Sequence, residues 1–180
     1  MLRITIPGTE LWDESKEEFI YTEERTLELE HSLVSLSKWE SKWCKSFIFS
    51  KNITAEESLD YIKCMTLTPD VEDEVYNALT ESDIKKITEY INSSMTATTV
   101  NEVKSAKRSR EIVTAEIIYY WMISLNIPSE YETWHFNRLI TLIKVINAKN
   151  APTKKRSVKD INAEYAALNE ANKRRFNTKG

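Results

Sequence analysis

Leu2, Ile4 and Ile6 alternate with Arg3 and Thr5 at the start of the chain. A period of two predicts a short strand, and Pro7-Gly8 ends it. A second β-like piece runs from Phe19 to Thr22. The two together predict a small ribbon within residues 1–25, marginal unless it packs on helices. From Leu29 the period lengthens. Leu29, Leu33, Leu36, Trp39 with Glu40, and Trp43 recur three or four residues apart, with Glu28, Glu30, Lys38 and Lys42 around them. That is an amphipathic helix, broken by "FIFSKN". "TAEE" from Thr54 is a capping box, in which the Thr hydroxyl and Glu57 satisfy backbone N–H groups left open at a helix start. Leu59, Ile62, Cys64 and Met65 give that helix its apolar face.

Thr68-Pro69-Asp70 reads as a further helix start, proline being tolerated at the first helical position. Val71, Val75, Ala78 and Leu79 form the stripe behind it. "TESD" then opens a helix through Ile84, Ile87, Tyr90 and Ile91, joined tightly enough to the previous one for an antiparallel or angled hairpin. Residues 92–110, rich in Ser, Thr, Asn and basic side chains without a period, read as the longest loop, a mobile one. Glu111–Asn126 is almost continuously apolar over Ile117–Ile123, which predicts a helix at the centre of the core. Pro128 stops it, and a partner helix is expected from Ser129 to about Lys149. In this reading Trp134 packs back on the Ile117–Ile123 helix. His135, which at such a position packs or hydrogen-bonds locally, and Arg138 lie at the wet edge of the partner helix, and Asn137 and Arg138 are expected to bind neighbouring carbonyls or acidic side chains rather than a substrate. After Pro152 and "TKKR", Ser157-Val-Lys-Asp160 caps a last polar helix whose thin stripe is Ile161, Tyr165 and Leu168. No internal repeat stands out. The expected fold class is therefore mainly α. A compact multi-helix domain over 1–150 carries a short N-terminal β-ribbon, and a basic helical tail covers 151–180.

Composition agrees. Gly occurs only twice in 180 residues, which argues against tight-turn β architecture and any Gly-rich phosphate loop. The N-terminus lacks the apolar core of a signal peptide. No run approaches the ~18 apolar residues of a membrane span. Cys44 and Cys64 are thus expected as free thiols of a reducing cytosol, buried in the core rather than paired with a histidine for catalysis. Zinc needs closely spaced ligand pairs. Here the cysteines stand twenty residues apart and the two histidines more than a hundred. Paired carboxylates such as Glu17-Glu18, Glu23-Glu24 and Glu56-Glu57 fall on helix starts and solvated faces. No metal, cofactor or catalytic group is expected.

The net charge of −3 hides an asymmetry. Residues 1–103 hold 21 acidic and 10 basic side chains, a net of −11, while 104–180 hold 7 and 15, a net of +8. Such halves can attract within one molecule or head to tail between copies, and the equally weighted alternative is a solvated surface with a basic tail. Lys154, Lys155, Arg156, Lys159, Lys173, Arg174 and Arg175 offer phosphate contacts. Yet only Tyr165 and Phe176 stand among them as stacking platforms, and the pI is about 5.6. Nucleic acid is the weaker reading, and a solvated or protein-binding tail the stronger.

One resemblance goes further. "TAEIIYYWMISLNIPSEYETWHFNRLITLIKVINAKNAPTKKRS" and "NAEYAALNEANKRR" resemble a group of proteins from long-tailed bacteriophages, the tail assembly chaperones. So do "ITIPGTELWDE" and "LEHSLVSLSKWESKW" near the N-terminus. The likeness spans most of the chain and contains no catalytic signature. It implies a small helical protein without chemistry that coats the tape measure protein, keeps it soluble, and is displaced as tail tube subunits polymerise. It further implies self-association and a place in the host cytoplasm rather than in the mature virion. Many such families also make a longer frameshifted product. Candidate partner-binding residues are Trp134, Arg138, Lys154, Lys155, Arg156, Arg174 and Arg175, with the tail as the binding arm. Two other readings are a structural virion component, such as a connector or tail-completion protein, and a nucleic-acid module using 104–110 and 154–175.

Overall fold

The computed structural model describes residues 1–8, 10–15, 17–21, 23–99, 112–150 and 158–176. The chain is mainly helical. Met1–Asn147 and Ala148–Gly180 form two compact units.

Strand β1 (Leu2–Ile6) is present, with Ile4 and Ile6 buried as the alternation requires. Its partner differs from the expected one. Phe19 lies on β3 (Glu18–Tyr21), which pairs with β2 (Glu10–Asp13) in a separate hairpin. β1 pairs instead with β4 (Arg25–Leu29), in antiparallel register from Leu2↔Leu29 to Ile6↔Arg25. Leu27 and Leu29 explain the choice, because their period of two puts both on the face that buries Ile4 and Ile6. On the other face Thr5 bonds Thr26 at 3.0 Å and Arg3 bonds Glu28 at 2.9 Å. The ribbon therefore reaches Leu29, and Leu29 does not begin the next helix.

Helix α1 spans Leu33–Trp43. Ser32 caps it in a reciprocal box with Ser35, and Cys44 closes it in the left-handed conformation at φ 52°. Leu33, Leu36 and Trp39 are fully buried, each worth about 1.5–3 kcal/mol. Helix α2 (Ala55–Met65) begins at the Thr54–Glu57 capping box as predicted. The Thr68-Pro69 start fails. Thr66 bridges Leu29, the Leu67 N–H donates to Glu28 O at 2.8 Å, and the Glu28 N–H donates to the Thr68 hydroxyl at 2.9 Å. This segment lines the free edge of β4, so its polar groups serve the ribbon rather than a helix cap. Only the short α3 (Asp73–Asn77) follows. Helix α4 (Glu81–Asn92) starts at a Thr80–Asp83 box and buries Ile87 and Tyr90, but Ile84 is 40% exposed. After α4 the chain is irregular through residue 99, and the rest of the expected 92–110 loop lies outside the described residues.

Helix α5 (Ala115–Ser124) is shorter than predicted. The partner helix is interrupted: Ser129–Thr133 form a 3-10 turn, and α6 runs Phe136–Asn150. Prolonging α6 backwards would remove the contacts of its first residues. The Phe136 N–H donates to His31 O at 2.7 Å, and His135 bridges Ser32. Packing joins α1 to α2 and α5, and α4 to β1. Helix α7 (Val158–Phe176) belongs to the second unit, and its described side chains, from Asn162 onward, are all exposed.

Candidate functional site

Helix α5 overturns the expectation of a central, all-round buried helix. Ala115, Ile118 and Met122 face the core, whereas Tyr120 is 66% and Ile123 76% exposed. Glu116, Tyr120 and Ile123 stand at i, i+4 and i+7, so one side of α5 is an outward apolar stripe behind a single carboxylate. A hydrophobic run read without its neighbours gives no sign of this, since both faces carry the same kind of residue.

Beside that stripe α5 and α6 enclose a cleft of about 490 Å3. Tyr120, Trp121 and Leu125 form one wall and Ile140, Ile143 and Lys144 the other. Two polar devices hold the walls in place. The first is Glu40 on α1, a buried residue whose Oε2 accepts the Ala115 N–H at 2.7 Å and whose Oε1 accepts the Phe47 N–H at 2.8 Å. Thr114 makes no side-chain cap bond to α5. A carboxylate from another helix thus takes the cap position, where the helix dipole favours negative charge. The second device fixes α6. The Asn137 amide donates to Ile91 O at 2.9 Å and Ser93 O at 2.8 Å, and His135 Nε2 lies 3.1 Å from Tyr90 O. Asn137 therefore takes the first of the two roles its position suggested, binding carbonyls rather than acidic side chains.

His135, expected at a wet edge, is 6% exposed. Its ring lies 5.1 Å from that of His31, edge to face, and 4.9 Å from Tyr90. His31 Nδ1 is 2.6 Å from the Tyr61 hydroxyl. Burial, and after it the neighbouring His135, pushes the His31 pKa down to about 3. Burial also lowers His135, against the Tyr90 carbonyl and Glu30, which favour its charge. Both rings are thus neutral fillers of a junction between α1, α2, α4 and α6. Nothing in the sequence marks them as a pair, since 104 positions separate them.

Of the predicted partner-binding residues, Trp134 and Arg138 come together. Trp134 packs on Tyr131, with ring centres 4.1 Å apart, and Arg138 sets its guanidinium carbon 3.9 Å from the Trp134 ring. The Trp134 ring is thus covered by Tyr131 and by a cation–π contact from Arg138. Arg174 pairs with Glu170 at 2.8 Å, and Arg175 lies 5.6 Å from the Phe176 ring. Lys154, Lys155 and Arg156 lie outside the described residues.

Cys44 is exposed, contrary to the expected core position, and Cys64 is half-buried. Burial raises the Cys64 thiol first, and Asp60 adds to it. Among the described residues no cluster of three His, Cys, Asp or Glu side chains is placed to hold a metal, and no helix is long and apolar enough to cross a membrane. The chain matches no protein-family model, no curated protein and no solved structure.

Proposed function

We propose that this protein is a tail assembly chaperone of long-tailed bacteriophages. It binds helical segments of the tape measure protein in the α5/α6 cleft, without catalysis, and works in the host cytoplasm before the tail tube polymerises. The observation that carries the reading is the exposure of Tyr120 and Ile123 beside an apolar cleft. A soluble monomer gains nothing by presenting such a stripe, whereas a partner helix with anchors at i, i+3, i+4 and i+7 fits one. The residues that form the cleft, Tyr120 to Asn147, fall inside the stretch 114–157 on which the family resemblance rests. Trp134 and Arg138, stacked on each other, belong to the same stretch.

Co-expression with the phage's tape measure protein tests this. The expected result is a soluble complex of the two, with the chaperone undetectable by mass spectrometry in purified virions. A tape measure protein that stays insoluble beside this chain overturns the proposal. Stoichiometric amounts of the chain in virions turn it toward a structural component.

A further inference from the structure

Beside the histidine junction lies a cleft of about 430 Å3, within the roughly 300–1,000 Å3 of small-molecule sites. It shares no lining residue with the α5/α6 cleft. Phe47, Ile91 and Phe136 give it apolar walls, and His31, Asn92 and Asn137 are its polar lining. No charged residue lines it.

The protons at its floor can be assigned by counting donors. His31 is 3% exposed, and its Nδ1 lies 2.6 Å from the Tyr61 hydroxyl. The Ser35 hydroxyl donates to Ser32 O at 2.8 Å, so it has no proton for Tyr61. Tyr61 then donates to the nearer of its two acceptors, His31 Nδ1 rather than Ser35 Oγ at 3.5 Å. The imidazole proton therefore sits on Nε2. Among the described residues Nε2 has no hydrogen-bond partner, yet the one side-chain nitrogen or oxygen that is both sealed from solvent and unbonded is His135 Nδ1. His31 Nε2 thus reaches open space, and the space its ring lines is this cleft. Burial keeps the ring neutral, so it offers an N–H without a charge.

The asparagines complement it. Asn137 spends both amide hydrogens on Ile91 O and Ser93 O, which leaves only its Oδ1 to offer a ligand. Asn92 donates to Thr88 O and adds a second amide oxygen. A charged ligand would lose its hydration and meet no opposite charge in the lining. The matching ligand is neutral, carries one acceptor and one N–H donor, and has a flat apolar body for the two phenyl walls.

We propose that this cleft binds a small neutral aromatic carboxamide, its carbonyl oxygen accepting from His31 Nε2–H and its amide N–H donating to the asparagine oxygens. The site does not rest on the tape measure reading.

Benzamide is the probe, titrated into the full-length protein and followed by 15N NMR of the His31 imidazole and the Asn137 side chain. Saturable shifts at both, with the His31 proton on Nε2 throughout, are the expected result. Benzoate has the same shape but is charged and lacks the N–H, and should bind at least about tenfold more weakly. His31→Phe keeps a ring and removes the donor, and should weaken benzamide by a similar factor. Ile48→Glu, on the exposed lip of the cleft, places a charge against the ligand ring without touching a buried polar group and should abolish binding even if His31→Phe fails to fold. Circular dichroism establishes which variants are folded. No saturable shift with benzamide, benzoate binding as tightly as benzamide, or a folded variant that binds like wild type each overturns the proposal.

Discussion

Glu40→Gln is the substitution with the most informative consequence. The Glu40 carboxylate is 6% exposed and accepts two backbone N–H groups, from Phe47 and Ala115, at 2.8 and 2.7 Å. Glutamine keeps the shape but has one acceptor oxygen and turns an NH2 toward the other N–H. One charge-assisted bond, worth about 1.5–3 kcal/mol, is lost, and the second weakens because its acceptor is now neutral. A buried donor is left without a partner as well. The expected destabilisation is about 2–4 kcal/mol, a large share of the roughly 5–15 kcal/mol that holds a domain folded. Urea unfolding followed by tryptophan fluorescence reads it directly, since Trp39 and Trp43 lie on the same helix as Glu40. The α5 N-terminus should also exchange its amide hydrogens faster. A variant within about 0.5 kcal/mol of wild type would refute the argument that Glu40 clamps α5.

Acid should destabilise the protein above the range in which ordinary carboxylates titrate. The pKa of buried His31 is depressed to about 3, so its contribution is complete above the unfolded value near 6.5 and is lost as pH falls through it. Between pH 7 and pH 5 that amounts to about 2 kcal/mol, and His135 acts in the same direction. Urea titrations at those two pH values check it; equal unfolding free energies would contradict it, and His31→Gln should flatten the slope. Asn137→Ala removes both amide bonds to the end of α4 and should cost about 1–3 kcal/mol in thermal or urea unfolding. An aromatic disulfide reagent should label exposed Cys44 well before half-buried Cys64, whose thiol pKa is raised; comparable rates would contradict that placement.

The capping box at Thr54, the helix start at Thr80, the alternation of β1 and the stripes of α1 and α2 were legible because they are local. A hydroxyl, a carboxylate three residues on and a period of 2 or 3.6 are all written within a dozen positions. What the sequence concealed depends on distant partners. Leu29 fits a helix stripe and a strand face equally well, and only pairing with β1 decides between them. Thr68-Pro69 has the letters of a helix start, but its hydroxyl is engaged by Glu28 across the sheet edge. In α5 both faces are apolar, so periodicity cannot say which one stays outside. Glu40 and the two histidines look like ordinary stripe and cap residues until their partners, tens of positions away, come into contact.

The outward face of α5 is the surface on which the proposed partner binding depends. Tyr120→Ser with Ile123→Ser alters only exposed side chains, so unfolding stability should stay within about 0.5 kcal/mol of wild type. Co-expressed with the tape measure protein, this folded variant should lose the soluble complex that the wild type forms. A variant that still keeps the tape measure protein in solution as well as wild type would contradict the assignment of the α5/α6 cleft as the partner site.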